Sequence, residues 1–299
     1  MARIAIIGLV GKSMFFDVPR FHSGGETVVA HGYHEEWGGK GFNQAVAAAR
    51  QGADVSFLGA CSDADRDAIA EFCRCEGVAA HLCAKPSPTA CASILTDGTG
   101  ETRVTVHPGA GLDANDVEGF AGAIAEADII LLNNEVPEEV NLAAVALARE
   151  NGVRIVFNPA PARRLPGAVA EAVSLFTPNE FEEEALGGVR CEIVTTLGAK
   201  GCRIRTTGEI VPAPPAEAVD STGAGDTFNA VLAVRLADGA ALRDACIAAN
   251  AAAAESVAVR YVLPSLPFAA AVKGKQKKGA FKCSTITDTW KRPSRTSAK

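Results

Sequence analysis

The sequence predicts a doubly wound α/β protein, a mostly parallel sheet flanked by helices with a small β-sheet lid attached. Apolar runs of strand length at residues 4–7, 55–58, 129–132, 153–157, 175–177 and 193–197 alternate with Ala-rich helical patterns at 43–50, 66–75, 138–150 and 242–256. Strands covered on both faces are apolar along their length, and strand–helix alternation is the pattern of βαβ units. Residues 89–107, by contrast, read as a hairpin that a parallel sheet cannot absorb.

In chain order, the run at 4–7 opens the sheet. At strand length it is not a signal peptide, and no window reaches the roughly 18 apolar residues of a membrane span. Residues 26–37 alternate loosely and carry no helix signal. Glycines then feed the helix at 43–50, and Gly52, Gly77 and Gly152 close three helices just past their last turns, where left-handed dihedrals favour glycine. In 89–107, residues 89–96 form one arm, Asp97-Gly98-Thr99-Gly100 the turn, and Arg103-Val104-Thr105-Val106 the alternating return. Segments 11–38 and 87–108 are accordingly assigned to the lid.

The 299 residues are 48% hydrophobic and 21% charged, ordinary for a soluble globular protein. Residues 1–272 are read as one domain and 273–299 as a disordered tail, with nine Lys or Arg against Asp288 alone. That tail carries +8, so the formal charge of −6 leaves the body at −14. A body this acidic argues against a nucleic-acid partner, because phosphate backbones demand clustered positive charge, and no segment indicates a membrane. The nine cysteines are scattered without a C-x-x-C pair, as expected of reduced thiols packed as small apolar groups in a cytoplasmic protein.

The most informative stretch is Asp220-Ser221-Thr222-Gly223-Ala224-Gly225-Asp226-Thr227-Phe228. Phe228, Val231 and Leu232 recur at helical spacing, so residues 223–226 belong at a helix N-terminus. Unpartnered N–H groups and the macrodipole attract anions there, and glycines admit a phosphate to the backbone. A carboxylate in the same turn can accept the proton of a hydroxyl attacking phosphorus. The stretch alone points to phosphoryl transfer to an alcohol.

Three further motifs each leave two readings. Trp37-Gly38-Gly39-Lys40-Gly41-Phe42-Asn43 offers donors on a first helical turn, or is a plain strand-to-helix turn. Thr177-Pro178-Asn179-Glu180-Phe181-Glu182-Glu183 could hold a hydrated Mg2+, or is an acidic first turn stabilised by the helix dipole. Thr195-Thr196-Leu197-Gly198-Ala199-Lys200-Gly201 could pass beneath a nucleotide, or is a hairpin turn. Gly11-Lys12-Ser13 is not the end of a P-loop, since the glycine required five residues earlier is Ile6.

In one order, Gly38 to Ala49, Asn158-Pro159-Ala160-Pro161-Ala162, Thr177 to Glu180, Thr196-Leu197-Gly198 and Asp220 to Phe228 closely resemble the ribokinase-like (PfkB) carbohydrate kinase family, over about residues 4–267. The resemblance implies ATP-dependent phosphorylation of a primary hydroxyl of a small sugar or sugar-like compound, in a homodimer paired through the lid. It makes Asp226 the base and Gly223, Ala224 and Gly225 the anion hole. Gly39, Lys40, Asn43 and Glu135 would bind the sugar, and Asn179, Thr196, Gly198, Gly201 and Asn250 would contact ATP. Glu183 would serve Mg2+ through water. Asp220, Thr222, Ser256 and Ser265 match parts of a monovalent-cation (K+) site, although the family's Gly-Ala-x-x-Ser approach reads Tyr261-Val262-Leu263-Pro264-Ser265 here.

Other departures are visible. The family's Asn-x-Asp sugar clamp falls on Gly11 and Ser13, with Asp17 nearby but out of register. Between Gly188 and Cys191 the family has one more helix, and after Pro267 a final one. Phe15, Phe16 and Trp37 near the lid suit either lid packing or a base-bearing ligand. The alternatives are therefore a nucleoside kinase of the same family and a weakly active sugar or nucleotide sensor.

Overall fold

The computed structural model describes residues 1–270. The basic tail assigned from the sequence lies outside the described residues. The large sheet contains β1 (Arg3–Ile7), β4 (Asp54–Ser62), β5 (Val78–Lys85), β8 (Ile129–Asn133), β9 (Arg154–Asn158), β10 (Leu175–Phe176), β11 (Glu192–Thr196), β12 (Cys202–Ile204) and β13 (Ile210–Val211). Its order is β13-β12-β11-β10-β9-β8-β1-β4-β5, parallel from β11 to β5, with β12 and β13 added antiparallel at one edge.

The apolar runs are central strands because both faces are covered. On one face α1 (Lys40–Arg50), α8 (Ala224–Ala237) and α9 (Leu242–Ser256) pack Phe42, Val46, Phe228 and Ala249 against Ile4, Ile6, Phe57 and Leu131. α2 (Asp63–Glu76) adds Ile69 and Cys73 there. On the other, α3 (Ala114–Glu118), α4 (Ala121–Glu126), α5 (Glu138–Glu150) and α6 (Gly167–Ala172) pack Phe120, Ile124, Val140 and Val169 against Ile7, Leu132, Ile155 and Phe157. Successive strand residues thus serve opposite cores. α8 is apolar nearly all round and lies buried, which brings its first turn into the centre of the molecule.

The lid is a separate four-stranded sheet, order β3-β2-β6-β7, from β2 (Gly11–Asp17), β3 (Gly32–Gly38), β6 (Ala90–Thr96) and β7 (Thr102–His107). The β6–β7 turn is held by Asp97 Oδ1, which accepts the N–H groups of Thr99 (2.8 Å) and Glu101 (3.2 Å). Two expectations need adjustment. The alternation at 26–37 becomes strand only from Gly32, and Gly11–Asp17, unmarked by its sequence, is a strand because it pairs antiparallel with β3 and parallel with β6.

The short connection between β10 and β11 still carries a helix, α7 (Glu180–Leu186), which ends at Gly187 and runs almost directly into β11. Beside it lies a groove of about 790 Å³ lined by residues including Arg164, Glu171, Glu184 and Arg190. α10 (Val262–Ser265) is the last helix among the described residues.

Candidate active site

The carboxyl ends of β1, β8, β9, β10 and β11 meet the N-termini of α1 and α8, the position where open α/β sheets bind ligands. Gly39 precedes α1 with φ 105°, and a Cβ there would stand 2.4 Å from the Leu9 carbonyl oxygen. Glycine is therefore required, and it aims the first turn of α1 across the strand ends.

Asp226, in the first turn of α8, is 6% exposed and sits between two amides of α1. Asn43 Nδ2 donates to its Oδ2 at 2.9 Å, and Gln44 Nε2 to its Oδ1 at 3.1 Å. Burial pushes the Asp226 carboxyl up, against the Lys40 ammonium and these two amides. A carboxylate raised in this way is a better proton acceptor than one in water. Asp226's charge, followed by those of Glu135 and Glu182, holds the Lys40 ammonium above its ordinary value despite burial.

Glu135 follows β8. Its N–H donates to Asn133 Oδ1 at 2.9 Å, and its Oε2 accepts the Lys40 N–H at 2.6 Å, so it caps α1. Burial pushes the Glu135 carboxyl up to about 7, against the pull of Lys40. Asn43 Oδ1 and Gln44 Oε1 are buried acceptors with no donor among the described residues, the condition expected of groups kept for a ligand. Gln44 is the residue that sequence reasoning passed over. Its signal was present, since it follows Asn43 in the quoted motif, one residue further along the helix.

At the start of α8, Gly223 is the N-cap with φ 81° and no side chain caps the helix. The Ala224 N–H turns back to the Ser221 carbonyl at 3.3 Å, while Gly225 is exposed. The turn is braced from behind: Asn229 Nδ2 donates to the Gly225 carbonyl at 2.8 Å, Thr177 Oγ1 donates to Asn229 Oδ1, and Asn158 Nδ2 donates to the Thr177 carbonyl at 3.1 Å.

Across the strand ends, Asn179 and Thr196 meet in a parallel bridge, and Thr196 N–H donates to the Pro178 carbonyl at 2.8 Å. Gly198 and Gly201 bound the 3-10 turn into β12. Asn250, buried on α9, donates to the Val211 carbonyl at 2.9 Å, pinning this hairpin from below. Glu182 and Asn179 form a capping box at the start of α7. The Glu183 carboxylate is turned the other way, accepting from Thr195 Oγ1 at 2.7 Å and Arg203 Nη2 at 2.8 Å. Of the two glutamates, it is Glu182 whose charge Lys40 feels.

On the lid, a Cβ added to Gly38 would be 2.4 Å from Ser13 Oγ, which puts the Ser13 hydroxyl beside the Gly38–Gly39 turn. A Cβ at Gly11 would be 2.7 Å from the Ala90 carbonyl oxygen, so strand packing forbids the family's asparagine there without rearrangement. Asp17 is paired with Arg260. Phe15 and Trp37 are buried, Phe15 against Tyr261 and Trp37 beneath the Lys12 ammonium, while Phe16 packs on Tyr33. Phe15 and Trp37 thus serve packing.

Three of the residues matched to a monovalent-cation site, Asp220, Ser256 and Ser265, have partners within the chain. Asp220 Oδ1 accepts the Thr222 N–H at 2.9 Å and Oδ2 the Tyr261 N–H at 3.0 Å. Ser256 and Ser265 each donate to a carbonyl of their own helix, Ala253 and Val262, at 2.8 Å. No helix among the described residues is long and apolar enough to cross a membrane.

The chain is 31% identical to the ribokinase of Lactococcus lactis over 294 residues, covering 93% of this chain and 98% of that one. Among solved structures, Thermotoga maritima ribokinase matches with a TM-score of 0.81 and 29% identity, over 93% of this chain and all of that one. Arabidopsis thaliana ribokinase, solved with ribose and ATP, matches with a TM-score of 0.80 and 25% identity over 92% of this chain and 98% of that one. The family model of pfkB carbohydrate kinases spans residues 1–269, so the chain belongs to the pfkB family of carbohydrate kinases.

Proposed function

We propose that the chain phosphorylates a primary hydroxyl of a small sugar or sugar-like compound at the expense of ATP, with Asp226 as the base. The observation that carries this is the buried Asp226 carboxylate, fixed by Asn43 and Gln44 at the mouth of an uncapped helix N-terminus. The acceptor hydroxyl gives its proton to Asp226 as it attacks the γ-phosphorus. N–H groups of Gly223, Ala224 and Gly225 then receive the charge that builds on the transferred group. Phosphoryl transfer relies on positioning and electrostatics, so this preorganised turn supplies much of the rate.

Asn43, Lys40, Glu135 and the Gly39 turn hold the remaining hydroxyls, with Gly11 and Ser13 on the lid side. The Ser13 hydroxyl replaces a carboxylate clamp, which favours an acceptor with fewer polar groups at that end. Asn179, Thr196, Gly198 and Gly201 line the ATP side, and Asn250 supports them. Mg2+, which neutralises ATP phosphates and keeps most of its waters, is served by the first turn of α7. Glu183 is paired with Arg203 and Glu182 accepts the Asn179 N–H; the ion is assigned to Glu182 because its charge is the one that reaches Lys40. Strand β7 leaves an exposed edge carrying Val104 and Val106, 57% and 58% exposed, which supports pairing of two lids in a homodimer.

The test is ADP release from ATP with ribose, fructose, adenosine, inosine and pseudouridine as acceptors. Turnover with a free sugar is expected. Turnover confined to nucleosides would make the chain a nucleoside kinase, and ligand-dependent stabilisation without ADP release would make it a sensor.

A further inference from the structure

The segment that would carry a monovalent cation is bound instead by the lid. Glu36, on β3, is buried and accepts the Val262 N–H at 2.8 Å and the Leu263 N–H at 3.3 Å, with His34 Nε2 3.1 Å from the same carboxylate. The His34 ring stacks on Tyr261 with centroids 3.8 Å apart, and Arg260 pairs with Asp17 of β2. From the other side, Arg50 donates to the carbonyls of Leu263 (2.6 Å) and Leu266 (3.0 Å). A carboxylate at the N-terminus of α10 and a guanidinium at its C-terminal end match its dipole.

This braced segment touches the anion hole in two places. A Cβ on Gly223 would be 2.6 Å from Val262 Cγ1, so the Val262 side chain lies directly on the N-cap of α8. The Tyr261 N–H holds Asp220 Oδ2, whose partner oxygen holds the Thr222 N–H next to Gly223. Tyr261 has φ 67°, a conformation a bulky residue keeps only when its surroundings impose it. Here the stacked His34 ring and the Asp220 bond impose it.

We infer that Glu36 is a positioning residue, coupling the docked lid to the Gly223–Gly225 turn through Val262, and that this protein-built brace takes the place of a monovalent cation. This rests on the phosphotransfer reading, so the test has a readout that needs no turnover. The full chain is assayed with ATP and ribose in KCl, NaCl and tetramethylammonium chloride at equal ionic strength, and its melting temperature is measured in the same salts. Rates within about twofold and melting temperatures that do not depend on the cation are expected. A rate at least tenfold higher in KCl, or stabilisation specific to K+, would overturn the inference, the latter even if ribose is not turned over. Glu36→Ala is expected to lower kcat at least tenfold with KM for ATP little changed, while Glu36→Gln, which keeps an acceptor oxygen, retains most of kcat. Equal loss in both variants, or loss in neither, would remove Glu36 from this role.

Discussion

Replacing Gly223 by alanine tests the contact on which the proposed anion hole depends. With φ at 81°, an L-residue at this position costs roughly 1–2 kcal/mol for left-handed backbone. The added methyl would also stand 2.6 Å from Val262 Cγ1, well inside contact distance, and overpacking of this kind costs roughly 1–3 kcal/mol. Together the variant should lose about 2–5 kcal/mol, seen as a fall of about 4–9 °C in melting temperature. Any part relieved by shifting the turn moves its N–H groups, and displacing one such donor lowers kcat by about 10²- to 10³-fold. Thermal melts and ADP release with ATP and ribose are run on Gly223→Ala, Val262→Ala and the double variant. If the clash is real, the double variant recovers at least about 1 kcal/mol relative to the sum of the singles. Strict additivity, or a Gly223→Ala protein as stable and active as the parent, would refute the reasoning.

Two other outcomes follow from the site. Because burial raises the Glu135 carboxyl from 4.5 to about 7, its contribution to stability is full below its unfolded value and is lost as pH rises through about 7. Glu135→Gln should therefore flatten the fall in unfolding free energy between about pH 5 and 8, by at most about 3 kcal/mol; an unchanged profile would contradict this. Glu183→Gln, which breaks a pair whose partners are 26% and 40% exposed, should cost less than about 1 kcal/mol and leave turnover near that of the parent. Glu182→Gln should raise the Mg2+ concentration for half-maximal rate by about tenfold, and the reverse result in a Mg2+ titration would exchange the two roles.

Much of the large sheet was legible because its strands are buried on both faces, which leaves an apolar run in the sequence wherever one occurs. The helices at 66–75 and 138–150 were equally plain, since each shows its period and a closing glycine. Strand β2 was not legible: Gly-Lys-Ser-Met-Phe-Phe-Asp shows no clean alternation, and it becomes strand through β3 on one side and the distant β6 on the other. At the site, Asp226 and Asn43 stood out because their chemistry is carried by short motifs. The amide of Gln44 drew no attention although it completes the hold on Asp226. Glu183 and Glu182 could not be told apart by spacing, since only the direction of each side chain on α7 sends Glu183 to Thr195 and Arg203 and turns Glu182 back onto the Asn179 N–H. The brace formed by Glu36, His34 and Tyr261 joins residues more than two hundred positions apart, and no local pattern announces such a contact.

Everything proposed for the chemistry turns on the Asp226 carboxylate. Asp226→Asn keeps the size of the side chain within reach of Asn43 and Gln44 but removes the proton acceptor. Single-turnover phosphorylation of ribose, together with equilibrium binding of ATP and ribose, separates the chemical step from assembly of the complex. The variant should bind both ligands about as well as the parent while phosphoryl transfer slows by about 10²- to 10⁴-fold. An unchanged transfer rate with intact binding would show that the proton leaves by another route and that Asp226 is not the base.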